Sequence, residues 1–230
     1  IVPHIRAAAL RVGTRDPFAG PDGVYPIRSL YLDTTAKHLY WANDREAPER
    51  FKVRVRAYPN APDAPVFLEV KSRAKDVIRK SRAAVKGDWL AVARGDAAAL
   101  AALSPRAQAP AKAFVRNFLL YHLEPSLLVE YDREAFASEI DEYARLTIDR
   151  GVRCQPANAL SLDAEADAWR RADHPARTGT LEPHTVLELK FQTRPPRWMV
   201  ALVRSLELTR RSFSKYCYGI EALLTLPESR

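Results

Sequence analysis

Phe51-Lys52-Val53-Arg54-Val55-Arg56 is the stretch that decides how this chain is read. Side chains along a β-strand alternate between two faces, so Lys52, Arg54 and Arg56 point one way and Phe51, Val53 and Val55 the other. A strand written like this buries one side and offers cations on the other. By itself it describes the half-solvated face of an ordinary sheet. The same alternation recurs outward along the chain, however. It returns at Glu69, Lys71 and Arg73, at Lys80 and Arg82, at Tyr131 and Arg133, at Arg145, Thr147 and Asp149, and at Glu188 and Lys190. A solvated face ordinarily mixes Thr, Ser, Glu and Lys. These faces are enriched in Arg, whose planar fork grips phosphate oxygens in pairs. Joined in one closed sheet, such strands line an interior with cations and a few carboxylates, a site for a polyanion and a divalent metal.

Bulk properties bound the reading. At 230 residues and 47% hydrophobic content, the chain can bury a sizeable core in one domain. A net charge of +8 implies an anionic partner, without separating nucleic acid, acidic lipid or phosphorylated small molecules. Cys154 and Cys217 form neither a metal-ligand spacing nor a disulfide framework, which suits a reducing, cytoplasmic compartment. His4, His38, His122, His174 and His184 are scattered and none is spaced for zinc. The absence of a Gly-rich phosphate loop excludes a P-loop or Rossmann nucleotide site. Trp41, Trp89, Trp169 and Trp198 are dispersed, so no stacking platform for single-stranded nucleic acid is expected. No apolar run approaches the roughly 18 residues that span a bilayer. Membrane association is therefore expected only through regions outside this chain.

Along the chain, residues 5–11 read as a short helix, followed by turn signals at Asp16-Pro17 and Gly20-Pro21-Asp22-Gly23. Tyr25 to Asp33 reads as a strand, and Lys37 to Trp41 as a second one able to pair with it as a hairpin. Strands at 51–58 and 66–73 flank the Pro-rich connection from Pro59 to Pro65, whose prolines would interrupt a ladder. Residues 75–85 are read as a strand. From about 87 to 123 Ala and Leu recur at helical spacing, broken at Gly95 and Pro105, which predicts an insertion of two or three helices. Strand patterns return at 127–136, 142–149 and 152–155 as an antiparallel meander. Residues 161–182 read as a loop and 185–192 as a strand. A helix is expected from about 197 to 208, with Pro195-Pro196 at its start. Helical pattern ends the chain after Phe213-Ser214-Lys215-Tyr216.

Eight short motifs, in this order, carry a resemblance. They are Ser29-Leu30-Tyr31-Leu32-Asp33, Lys52-Val53-Arg54-Val55-Arg56-Ala57-Tyr58, Phe67-Leu68-Glu69-Val70-Lys71, Lys80-Ser81-Arg82, Tyr131-Asp132-Arg133-Glu134-Ala135-Phe136, Arg145-Leu146-Thr147-Ile148-Asp149, Leu187-Glu188-Leu189-Lys190 and Ser214-Lys215-Tyr216. Together they span about residues 25 to 220. The chain resembles the VTC-type polyphosphate polymerase domain, of the triphosphate tunnel or CYTH-like superfamily.

The resemblance implies an α+β fold: an antiparallel eight-stranded β-barrel, or tunnel, with inserted and C-terminal helices, as a single domain over residues 1–230. The family's usual first strand is expected just before residue 1. Ile1-Val2-Pro3 resembles the run that follows it. The implied activity is transfer of the terminal phosphoryl group of a nucleoside triphosphate, ATP above all, onto a polyphosphate chain, with Mn²⁺ or Mg²⁺. Position by position, Arg54, Arg56, Lys71, Lys80, Arg133, Arg145 and Lys215 would contact phosphates and carry the catalysis. Arg82 and Lys190 would join the substrate-binding set. Glu188 would hold the metal, with Glu69 a second candidate. Nucleic acid is not expected as a partner. Two alternatives stay open: a tunnel triphosphatase that hydrolyses tripolyphosphate or nucleotide, and a module that binds polyphosphate or inositol phosphates without turnover.

Overall fold

Val53 and Val55 are completely buried, and what buries them fixes which face of the sheet is left to the cations. The computed structural model describes residues 1–17, 19–141, 143–173 and 183–225. In chain order the elements are α1 (Val2–Leu10), β1 (Gly13–Arg15), β2 (Tyr25–Asp33), α2 (His38–Asp44), β3 (Glu49–Ala57), β4 (Val66–Ala74) and β5 (Val77–Val85). Helices α3 (Trp89–Arg94), α4 (Ala97–Ala101) and α5 (Pro105–Leu120) follow. The chain continues through β6 (Glu124–Ser138), β7 (Arg145–Pro156), a 3₁₀ turn (Ala166–Ala168), β8 (Arg170–Arg171), β9 (Val186–Lys190), α6 (Arg197–Ser205) and α7 (Lys215–Thr225).

The nine strands form one antiparallel sheet in the order β5-β4-β3-β2-β6-β7-β8, with β1 added on β6 and β9 on β7. Among the described residues the path of pairings has two ends, at β5 and at β8, so the expected closed eight-stranded barrel is corrected to an open nine-stranded sheet. β8 is only two residues long, too short to carry a ladder onward.

Residues cluster into two compact units. The first holds residues 1–26 and 131–151 with the described part of 174–213; the second holds 27–130 and 152–173 with the described part of 214–230. Within the second unit, Val53, Val55, Leu68, Val70, Ala83 and Val85 of β3 to β5 pack with Ala107, Ala111, Phe114 and Val115 of α5. The helical insertion is thus the lid of that core. Its segmentation follows local chemistry. Asp88 and Asp96 accept the N–H groups of Ala91 (3.0 Å) and Ala99 (2.8 Å) as N-caps, Gly95 closes α3 at φ +85°, and Pro105 opens α5. Within the first unit, Ile5 and Ala9 of α1 and Leu202 of α6 pack on Phe136, Leu146 and Ile148.

Two local expectations are corrected. The segment from Lys37 to Trp41 is helical, because the Asp33 carboxylate at the end of β2 accepts the N–H groups of Leu39 and Tyr40, both at 2.8 Å. Two otherwise orphaned donors of the first turn are satisfied that way. The segments 142–149 and 152–155 contribute to one strand, β7, which passes through Gly151 at φ +62°. The strand at 75–85, the three-helix insertion and α6 and α7 fall where the sequence puts them. Of the loop expected over 161–182, residues 174–182 lie outside the described residues, and the rest contains the 3₁₀ turn and β8.

Candidate anion-binding site

Register turns the alternation of β3, β4 and β5 into rows. Arg54 lies opposite Glu69, and Glu69 opposite Arg82; Lys52 lies opposite Lys71, and Lys71 opposite Lys80. Arg56 stands between Ser29 and Phe67, and Tyr31 faces Arg54. Partners across a ladder hold their Cβ atoms about 4.5–5.5 Å apart, so each row is a true neighbourhood.

Glu69 is the hub of the first row. Its carboxylate accepts from Arg54 Nε at 2.6 Å and lies 3.3 Å from Arg82 Nε and 3.6 Å from Arg56 Nε. Burial acts to raise its pKa, but Arg54, Arg56 and Arg82 override that and hold it at about 2. Arg54 is further fixed by donating from Nη1 to the Tyr31 hydroxyl at 3.0 Å. Burial raises the pKa of Tyr31, and the charges of Arg54, Lys52 and Arg56 outweigh it and leave the phenol below its ordinary range. Arg56 is only 8% exposed and its Nε has no hydrogen-bond partner among the described residues, while the buried Ser29 hydroxyl opposite it lacks one as well. A buried donor without an acceptor is costly, and marks a position where a ligand oxygen would be favourable.

On this same face, Tyr31 stacks on Tyr216 at 4.9 Å, and Tyr216 donates to Asp33 at 2.6 Å. Burial and the Asp33 carboxylate together raise the Tyr216 pKa. Lys52 donates to Ser214 Oγ at 2.8 Å, and its own burial depresses its pKa. These contacts seat the Ser214-Lys215-Tyr216 start of α7 beside β2 and β3, with Lys215 half-buried. Lys71, Lys80 and Arg82 are exposed, the Arg82 guanidinium lying 3.6 Å over the Phe67 ring.

In the first unit Arg133 is held differently. Its Nε and Nη2 donate to the two oxygens of the fully buried Asp149 at 2.6 and 2.8 Å. Burial lowers the pKa of Arg133, but the forked bond to Asp149 overrides it and the net shift is upward. Arg145 is exposed opposite Lys190, its guanidinium 5.6 Å from the Tyr143 ring. Glu188 faces Thr147 across the ladder and pairs with Lys190 at 3.2 Å.

The described residues contain no group of three or more His, Cys, Asp or Glu side chains able to hold a metal. Glu69, surrounded by three guanidiniums, is electrostatically unsuited to a cation. Glu188, 47% exposed, fits: a single hard oxygen donor suffices where phosphate oxygens and water complete the shell of Mn²⁺ or Mg²⁺.

The second unit thus gathers Arg54, Arg56, Lys71, Lys80, Arg82 and Lys215, and the first gathers Arg133, Arg145, Glu188 and Lys190. Sequence reasoning missed Tyr31, Ser214 and Tyr216 as supports. Tyr31 shares the parity of Ser29 in β2, and the Ser-Lys-Tyr spacing was the available signal for the other two.

In the second unit, rows of cations on one face of an antiparallel sheet, with α5 packed on the other, make an α+β protein with a cationic face. A family model described as the VTC domain matches residues 1–224, and the chain belongs to that family. No curated protein matches. Among solved structures, a Bacillus halodurans protein provisionally assigned as an adenylate cyclase is 11% identical, with a TM-score of 0.47 over 85% of this chain and 81% of that one. A Pyrococcus horikoshii OT3 protein is 11% identical, with a TM-score of 0.39 over 89% of this chain and 81% of that one. Among the described residues no helix is long and apolar enough to cross a membrane.

Proposed function

We propose that this domain is a metal-dependent polyphosphate polymerase, moving the terminal phosphoryl group of a nucleoside triphosphate, ATP first among them, onto a polyphosphate chain. The observation that carries the reading is the Lys52–Lys71–Lys80 row beside the Arg54–Glu69–Arg82 row. Like charges directly opposite one another destabilise a sheet. Three ammonium groups in one rank, next to two guanidiniums sharing a single carboxylate, are a persistent cost that a bound polyanion offsets.

The roles follow from phosphoryl transfer, whose barrier falls mainly through positioning and neutralising charge. Arg54, Arg56, Lys71 and Lys80 hold the triphosphate, with Arg82 alongside them, and the orphaned Arg56 Nε supplies a donor already stripped of water. Lys215 joins them in the same unit, and in the first unit Arg133, Arg145 and Lys190 are the expected phosphate contacts. Glu188 would hold Mn²⁺ or Mg²⁺, which when bound neutralises charge on phosphate oxygens. The acceptor is a terminal phosphate oxygen, ionised at neutral pH, so no general base is assigned. Its approach to an anionic donor is possible only among facing cations.

Chain-length analysis of the product formed from ATP and Mn²⁺ tests the reading. Long chains made by the wild type and lost in Arg54→Ala are the expected result. Orthophosphate without chains makes the protein a triphosphatase. Tight binding without turnover, indifferent to metal and to Glu188→Ala, makes it a binding module.

A further inference from the structure

Ser29 is 1% exposed, stands on the cation-bearing parity of β2 opposite Arg56, and its hydroxyl has no hydrogen-bond partner among the described residues. A buried hydroxyl left unpaired costs stability, so folded proteins keep few of them. Packing does not call for this one. Leu30 and Leu32 supply the core side of β2, and an alanine at position 29 would bring no donor to satisfy.

Two observations make the orphan informative. The first is that nearby hydroxyls are committed. Tyr31 Oη, two residues on and on the same face, accepts from Arg54 Nη1 at 3.0 Å. Ser126 Oγ meets Tyr216 Oη at 3.1 Å and accepts from Lys37 Nζ at 2.9 Å, while Ser214 Oγ accepts from Lys52 Nζ at 2.8 Å and from the Cys217 amide at 3.2 Å. Among these, Ser29 alone is spare. The second observation is where the orphans fall. Among the described residues, the buried side-chain atoms without a partner are Ser29 Oγ, Arg56 Nε, Thr147 Oγ1 and Asp173 Oδ2. Three of these four sit on cation-bearing strand faces: Ser29 and Arg56 opposite each other in the second unit, and Thr147 on the Arg145 parity of β7 in the first. Chance would scatter them through the core.

As ladder partners, Ser29 and Arg56 hold their Cβ atoms about 4.5–5.5 Å apart. Arg56 Nε lies 3.6 Å from the Glu69 carboxylate, an ion pair too long for a hydrogen bond, so its N–H is unspent. Arg54, Arg56 and Arg82 around the one carboxylate of Glu69 leave this neighbourhood net positive, so the missing acceptor is an anion.

We propose that Ser29 is a substrate-contacting residue whose hydroxyl, with Arg56 Nε, forms a buried subsite for one phosphoryl group. It deepens the reading above and rests on a phosphate chain being the ligand. What Ser29 adds differs in kind from what the lysine row adds. A neutral donor releases no counterion, so its contribution persists at high salt, where those of Lys71 and Lys80 fade. It also acts only over hydrogen-bond range, so it fixes where one phosphoryl group stops along a face that otherwise attracts any anion.

The test is Ser29→Ala, with Lys71→Ala beside it. Metal-free binding of inorganic tripolyphosphate is titrated across salt concentrations, and the ligand-free proteins are melted. Ser29→Ala is expected to bind about tenfold more weakly, as for one lost hydrogen bond to a charged group, with the log–log salt slope of the wild type. Lys71→Ala is expected to make that slope shallower. Without ligand, Ser29→Ala should melt at the wild-type temperature or above it, because it removes an unmet donor. Unchanged affinity overturns the subsite. A lower melting temperature also overturns it, by showing that the hydroxyl already bonds within the protein, and so does a shallower slope, by tracing the loss to displaced cations. If the wild type does not bind tripolyphosphate at all, the functional reading fails, while the ligand-free melting comparison still reports whether the Ser29 hydroxyl is spare.

Discussion

The Glu69 hub and the Arg133–Asp149 pair are both arginine–carboxylate contacts between neighbouring strands, and they solve opposite problems. Around Glu69, three guanidiniums share one carboxylate, so the cluster keeps a net positive charge and its acid is held at about 2. At Arg133 a single buried carboxylate takes the fork in full, at 2.6 and 2.8 Å, and the charges cancel. The first arrangement leaves attraction over for a ligand. The second uses much of it inside the protein, so Arg133 serves a phosphate only with its remaining donors. Arginines in the same strand alternation therefore differ in availability.

The sharpest way to break this contrast is Asp149→Ala. It leaves Arg133 buried and unpaired, and the loss expected is about 3–5 kcal/mol of stability, measured by denaturant or thermal unfolding. Glu69→Gln should cost far less, because Arg54 and Arg82 are partly solvated and the neutral amide still offers an oxygen acceptor; equal losses would erase the distinction. Arg54→Ala comes next, with kcat/KM for chain growth expected to fall about 100-fold, near 2.7 kcal/mol, and no large change in melting temperature.

Smaller effects sharpen the picture of Glu69. Removing its charge in Glu69→Gln makes the rows more positive, so metal-free tripolyphosphate should bind about fivefold tighter, on the order of 1 kcal/mol. The Mn²⁺ concentration for half-activation should stay put; a rise there would make Glu69 a metal ligand after all. The last effect is pH dependence. The folded-state pKa of Glu69 is depressed from 4.5 to about 2, so its pairing stabilises the fold above the unfolded value and is lost as pH falls through that window. Glu134 is shifted downward too, chiefly by its bond to Arg6. Subtracting the Glu69→Gln melting curve from that of the wild type isolates the Glu69 contribution, and a difference flat between pH 5 and 2 would refute it.

Much of the fold was legible because alternation and helical spacing are local. Val53 and Val55 pointed to the core and Lys52, Arg54 and Arg56 away from it, and the insertion's breaks at Gly95 and Pro105 are where helices end and begin. The segment from Lys37 to Trp41 was misread because its helix is set by Asp33, a residue belonging to the preceding strand. Tyr216 escaped as a support for the same reason at longer range, since its partners Tyr31 and Asp33 lie far away in the chain.

The sequence by itself determined which side chains share a strand face, because a period of two is imposed by backbone geometry and needs no partner. It also determined the cationic character of those faces and, through ordered motifs, the VTC domain family. Only the tertiary structure decided which cation meets which acid, because register and burial set those distances. It put Arg54 and Arg82 on one shared carboxylate and Arg133 on a carboxylate of its own, and it left the Ser29 hydroxyl buried opposite Arg56 without a partner among the described residues. Coulomb energy depends on separation and solvent exposure, and neither is written in the order of residues.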